Sequence, residues 1–374
     1  MRWGMAAAVL TAAAVGAGTA AVLAGRAVSD LSVQPGGAAP ADAGGLRVHA
    51  VAAGQVELTR SRQSLRPGRY GLEWAGGRAV VGGVLDTTDQ SVVRRLESTA
   101  NTDGATLGVG TAVRLTPRVL VGDPQTALGL DFAEVQVHGQ LGPMPAWRLP
   151  GFRELFVIAV HGFGEDRQQA LPLLPLFDRL SVPVLAVTYR NDEGAPRSPD
   201  GLGHFGDTEW RDLEAAIELA VEGGARRILL LGWSIGATMA LQAASRSACR
   251  DYIKGLVLDS PVLDWRDTAR RRATRRGVPD ALAVLGARAA EGRSGVDVAA
   301  LDRLALGDDL DVPVLLLHSP DDSVAPVGAA RRLARRCGDL VLFQEFPGAE
   351  HEALWNTDPT GYEETLRRFL TPLL

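Results

Sequence analysis

The sequence predicts an α/β fold, with helices on both faces of a mainly parallel sheet, preceded by an apolar helix and a small, mostly β segment. Three observations predict it. From Leu155 onward, short and mostly aliphatic runs recur at Leu155–Val160, Val182–Tyr189, Ile228–Leu231, Gly255–Leu258, Val312–Leu317 and Leu340–Phe346, a pattern suited to strands buried on both faces. The stretches between them, such as Asp207–Glu222 and Gly328–Arg336, space their apolar residues as helices do. Finally, Ile228-Leu229-Leu230-Leu231 passes through Gly232-Trp233-Ser234-Ile235-Gly236 into the alanine-rich Ala237–Ala244, so a strand turns abruptly into a packed helix.

The chain has 374 residues, more than one average domain needs. With 46% apolar and 22% charged residues most of it reads as globular, and a net charge of −5 gives no electrostatic case for nucleic acid. Trp3–Gly25 carries no charge and is flanked by Arg2 and Arg26. It is long enough to span a bilayer, so residues 1–28 are expected to be a signal anchor, or a signal peptide cleaved after Val22-Leu23-Ala24. An export-type segment is expected to place the domains that follow outside the cytoplasm, held to the membrane or secreted. Residues 29–45, rich in Gly, Ala and Pro, read as a flexible linker.

Residues 46–123 alternate short β-like runs with turns: Leu46–Val51, Gln55–Thr59, Arg78–Leu85, Thr111–Leu115 and Arg118–Val121, with Pro67-Gly68 and Gly76-Gly77 between them. No cluster of His, Cys or paired carboxylates marks chemistry there, and the segment reads as a small β-rich accessory domain that spaces or packs. Residues 124–374 read as the second, α/β domain. Phe132–Val137 and Ala146–Leu149 open it as a hairpin across Gly142-Pro143, and the arginine-rich residues 264–309 exceed one crossover and predict a helix with a small cap. Cys249 and Cys337 form neither a metal spacing nor a disulfide framework, so two buried free thiols are expected.

Chemistry concentrates in three loops. Glycines two residues either side of Ser234 allow a turn tight enough to hold its hydroxyl out at a strand end, on a helix N-terminus. In a chain with 43 glycines that pattern alone is weak evidence, and it needs partners. His351, on the loop after the last predicted strand, can take a proton from the hydroxyl. A carboxylate after Val312–Leu317 can orient the imidazole, and Asp321 and Asp322 compete for that place. Elsewhere the structural reading comes first. His161 braces its loop, and Glu165 and Asp166 charge a helix N-terminus. Arg190 and Asp192 fix a loop, His204 is a surface or loop residue, and Arg266, Arg270, Arg271, Arg272, Arg275 and Arg276 make a solvated helix face.

His161-Gly162-Phe163-Gly164, Gly232–Gly236, the loop His318–Pro326 and His351 occur in that order. Together they resemble the α/β-hydrolase superfamily over Phe132–Leu374, near membrane-anchored bacterial members of the acylaminoacyl-peptidase and lysophospholipase-like branch. The resemblance implies a catalytic set of Ser234, Asp322 and His351, with Asp322 chosen because the pattern His-x-x-x-Asp-x-x-x-Pro starts at His318 and ends at Pro326. It also implies an oxyanion hole formed by the backbone N–H groups of Phe163 and Ile235. The function implied is a serine hydrolase acting on a carboxylic ester of a small acyl substrate, with no metal or organic cofactor. A peptidase of the prolyl-oligopeptidase type uses the same residues, and a non-catalytic binding module could keep the same fold.

Overall fold

The computed structural model describes residues 45–101, 106–275 and 277–374, so the apolar segment Trp3–Gly25 and most of the linker lie outside the described residues. Among the described residues no helix is long and apolar enough to cross a membrane.

The first body is a closed six-stranded barrel. Its strands are β1 (Leu46–Ala52), β2 (Gln55–Thr59), β3 (Tyr70–Trp74), β4 (Gly77–Thr87), β5 (Ser91–Asn101) and β6 (Ala112–Thr116), arranged β1-β2-β5-β4-β3-β6. Closure comes from β1, which pairs with β2 on one side and β6 on the other, and leaves no free edge. Alternate residues of the strands, such as Leu46, Val48, Val56, Leu58, Leu72 and Val81, fill the interior. Arg118–Val121, expected as a strand, is irregular chain: the barrel is already closed by β6, and here Leu120 packs on the core of the second body and Arg118 pairs with Glu165.

Among the described residues the largest fully buried side chain is an arginine of this barrel, Arg94. Its guanidinium donates to the carbonyls of Gly82 (3.0 Å), Ser64 (2.9 Å), Arg66 (2.6 Å) and Gly68 (2.7 Å). Four acceptors compensate a charge that water no longer solvates. Burial lowers the Arg94 pKa to about 10 even so.

The second body is an eight-stranded sheet ordered β14-β13-β12-β11-β9-β10-β8-β7. In chain order these are β7 (Ala133–Gly139), β8 (Gly142–Leu149), β9 (Leu155–Val160), β10 (Val184–Val187), β11 (Arg227–Trp233), β12 (Ile253–Asp259), β13 (Val314–His318) and β14 (Val341–Glu345). β7 and β8 form an antiparallel hairpin, β8 runs antiparallel to β10, and β9 to β14 are parallel. The hairpin turns at Gln140-Leu141, not at Gly142-Pro143, because Gly142 already pairs with Gly139 and Pro143 with His138.

Both faces of the sheet are covered at its centre, which is why β11 is apolar from Ile228 to Trp233. Ile228 and Leu230 enter one core with helices Trp210–Glu222 and Ile235–Arg246, while Leu229 and Leu231 enter the other with Leu173, Phe177 and helix Pro359–Leu370. Three helices, Trp265–Arg275, Asp280–Ser294 and Val298–Leu306, occupy the insertion where one helix and a cap were expected. Cys249 and Cys337 are free but only half-buried.

Arg190, three residues after β10, forms a buried two-pronged pair with Asp212 on helix Trp210–Glu222, with both N–O distances at 2.7 Å. Asp212→Ala would leave that guanidinium without its counter-charge. A loss of about 3–5 kcal/mol is expected, read as a fall in the urea midpoint, and an unchanged midpoint would refute the structural weight given to the pair.

Candidate active site

Ser234 sits at the junction of β11 and helix Ile235–Arg246, with φ 52° and ψ −114°. Neighbouring backbone enforces the turn. A Cβ on Gly232 would strike the carbonyl of Gly236, and one on Gly236 would strike the carbonyl oxygen of Val160. The corner is tied down by the Ser234 N–H, which donates to the Asp259 carbonyl at 2.9 Å.

Three side chains from three loops meet here. Ser234 Oγ lies 2.8 Å from His351 Nε2, and His351 Nδ1 lies 2.7 Å from Asp322 Oδ2. All three are buried or nearly so. The other Asp322 oxygen accepts the N–H groups of Val324 (2.7 Å) and Ala325 (2.8 Å), which leaves Oδ2 for the imidazole. Burial alone would raise the Asp322 pKa. The facing His351 and His318 outweigh it and hold the carboxyl well below its ordinary range. Burial likewise works against a charged His351, yet Asp322 lifts its pKa above the usual histidine value. Of the adjacent pair, Asp321 stands in a turn, where its carboxylate accepts the Gly348 N–H at 2.7 Å and ties the acid loop to the histidine loop.

Phe163 and Ile235 flank the serine. Ile235 is the first residue of its helix, a position whose N–H has no intrahelical acceptor. Phe163 stands in the loop after β9, which is held by the Gly162 N–H donating to Gln169 Oε1 at 2.8 Å. His161 braces the same loop: it bonds the Gly162 carbonyl (2.9 Å) and Asp192 (2.8 Å) and stacks on Tyr189. Asp166 caps the short helix that follows, and Glu165 pairs with Arg118.

His204 stands on a loop, one of its two expected places, but is buried there, with its backbone N–H donating to Glu209 and its ring bonded to Asp200. The arginine run lies on a solvent-accessible helix face, as expected, with Arg266 and Arg275 exposed and Arg270, Arg271 and Arg272 half-buried, and it is laced with contacts. Arg266, Arg270 and Arg271 pair with Glu291, Asp302, Asp267 and Asp280, and Arg272 lies 4.4 Å over the Phe163 ring. Arg276 lies outside the described residues.

The residue that sequence reasoning missed is Glu352. It follows His351 at φ 58°, is enclosed beside Gly162, and its Oε1 has no hydrogen-bond partner among the described residues. Burial pushes its carboxyl up to about 7, against the pull of His351. Behind it Asp259 accepts from Ser260 and Tyr362 hydroxyls and is raised by burial to about 6. A glutamate on a polar loop gives no sign of such enclosure. A hollow of about 440 Å³ opens at the β14 edge between Leu340 and Phe369, but none of these residues lines it. Among the described residues no three metal-ligating side chains converge on a point that could hold an ion.

A family model described as "Alpha/beta hydrolase family" matches residues 157–365. The chain belongs to the alpha/beta hydrolase family. The barrel of this hydrolase matches separately, over residues 47–116, a domain of unknown function, DUF8805. The hydrolase is 27% identical over 219 residues to the uncharacterized protein YqkD of Bacillus subtilis (strain 168), a match covering 57% of this chain and 70% of that protein. Among solved structures it is similar to the esterase Pf2001 of Pyrococcus furiosus, with a TM-score of 0.56 at 19% identity over 68% of this chain and 96% of that one. At that identity the likeness is one of fold.

Proposed function

We propose that the protein is a serine hydrolase that cleaves a carboxylic ester through an acyl-enzyme. The observation that carries this reading is the continuous hydrogen-bonded chain from Ser234 through His351 to Asp322, at 2.8 and 2.7 Å. His351 Nε2 takes the Oγ proton as Ser234 attacks the acyl carbonyl. The Phe163 and Ile235 N–H groups stabilise the resulting oxyanion. The intermediate collapses, the alcohol leaves with the proton returned by His351, and water releases the acid by the same two steps in reverse. Asp322 keeps Nδ1 protonated and steadies the imidazolium.

The esterase Pf2001 shares this fold, and ester and amide substrates would use the same residues, so substrate turnover must separate them. A panel of nitrophenyl esters graded by acyl length tests the reading, with aminoacyl amides run beside it. Turnover of the esters with a preferred acyl length is the expected result. Amide turnover without ester turnover would replace the esterase with a peptidase. Failure on every activated ester, together with no labelling by a fluorophosphonate, would leave a binding module on a hydrolase fold.

A further inference from the structure

The barrel touches the second body at the loop that carries His351. Barrel residue Arg66 places Nη2 2.7 Å from Glu350 Oε1, one residue before the imidazole. The other Glu350 oxygen accepts the Ser323 hydroxyl at 2.6 Å, one residue after Asp322, and Arg275 of the cap donates to that same hydroxyl at 2.6 Å. One carboxylate therefore bridges the histidine and acid loops and is gripped by the barrel from a third side.

Contacts on either side of this bridge repeat the pattern. Pro67 packs on Gly348, and Ala353 enters the barrel's own apolar core. Asn356 donates to the Arg69 and Pro117 carbonyls at 2.8 Å each, and accepts the Arg69 N–H at 2.8 Å. The barrel loop making these contacts is the one that buried Arg94 pins through the carbonyls of Ser64, Arg66 and Gly68. A charge buried at that cost makes sense where a loop must be rigid.

We infer that the barrel is a positioning module for the catalytic histidine, acting through Arg66 and Glu350; the inference rests on the serine-hydrolase reading above. Neither residue touches the reacting atoms. They fix the loop on which the contact between Ser234 and His351 depends, and displacement of about 1 Å there costs rate steeply.

The test is steady-state kinetics on the full chain, with the ester that the wild type turns over best. Arg66→Ala and Glu350→Gln should each lower kcat about tenfold with KM within about twofold, and Arg66→Lys should recover most of the loss. Arg114→Ala, which breaks an exposed barrel pair with Glu73 far along the chain, should leave kcat unchanged. Fluorophosphonate labelling should slow in step with kcat. Should Arg66→Ala fail to fold, the near-isosteric Glu350→Gln carries the same test. The inference is overturned if both variants keep wild-type kcat, if KM rises while kcat holds, or if Arg114→Ala slows the enzyme equally. A wild type that takes no label defeats the hydrolase reading itself, whereas a labelled wild type with equally fast variants defeats only the role of the barrel.

Discussion

Ser234→Ala is expected to lower ester turnover on the order of 10⁵-fold while the protein stays folded. The substitution removes only the hydroxyl. Its Cβ, its backbone angles and the 2.9 Å bond from its N–H to Asp259 are retained, so a loss of activity cannot be ascribed to a collapsed turn. What remains is the stabilisation supplied by the oxyanion donors and by binding, which is why the residual rate stays above that in water. A fluorophosphonate should label the wild type at this residue and leave the variant untouched. Labelling that persists in the variant would move the nucleophile elsewhere.

Asp322→Asn should cost about 10³–10⁴-fold in kcat, and the hydrogen bonds explain why an isosteric change is so damaging. Val324 and Ala325 donate to Oδ1, so an asparagine must turn its carbonyl oxygen toward them and present its NH₂ to His351. Nδ1 then becomes an acceptor, the ring proton moves to Nε2, and that nitrogen can no longer receive the serine proton. A pH profile gives a second reading. His351 must be neutral to act as base, and Asp322 lifts its pKa above the ordinary histidine value of about 6.5. Wild-type kcat/KM should therefore rise with pH through an apparent pKa above that value, and the remaining activity of the variant should rise at lower pH. A variant within tenfold of wild type would show that Asp322 does not orient the ring.

Much of this architecture was legible in the residues. β9 to β13 could be found because burial on both faces removes most polar residues from a strand, a local property; β14, at the sheet edge, keeps only a short apolar run, Val341-Leu342-Phe343. The glycines at 232 and 236 mark close backbone approaches, and they single out Ser234 for the same reason. The barrel was less legible. β3 and β5 were not foreseen, and Arg118–Val121 was expected as a strand that does not form. β5 carries the charged residues Arg94, Arg95 and Glu97, which mask its apolar alternation, and Arg94 is fully buried with its guanidinium on carbonyls of residues 64, 66, 68 and 82. Closure also joins β1 to β6 across most of the domain, a pairing that no short stretch announces. Glu352 and Glu350 were overlooked on the same ground, since their surroundings come from distant loops.

A serine with φ 52° occupies backbone territory that costs an ordinary L-residue about 1–3 kcal/mol. The close-packed sheet around it absorbs that debt. Selection for heat tolerance and selection for chemistry thus pull this corner in opposite directions: any lineage that relaxed the turn would gain a sturdier protein and lose its hydrolytic power.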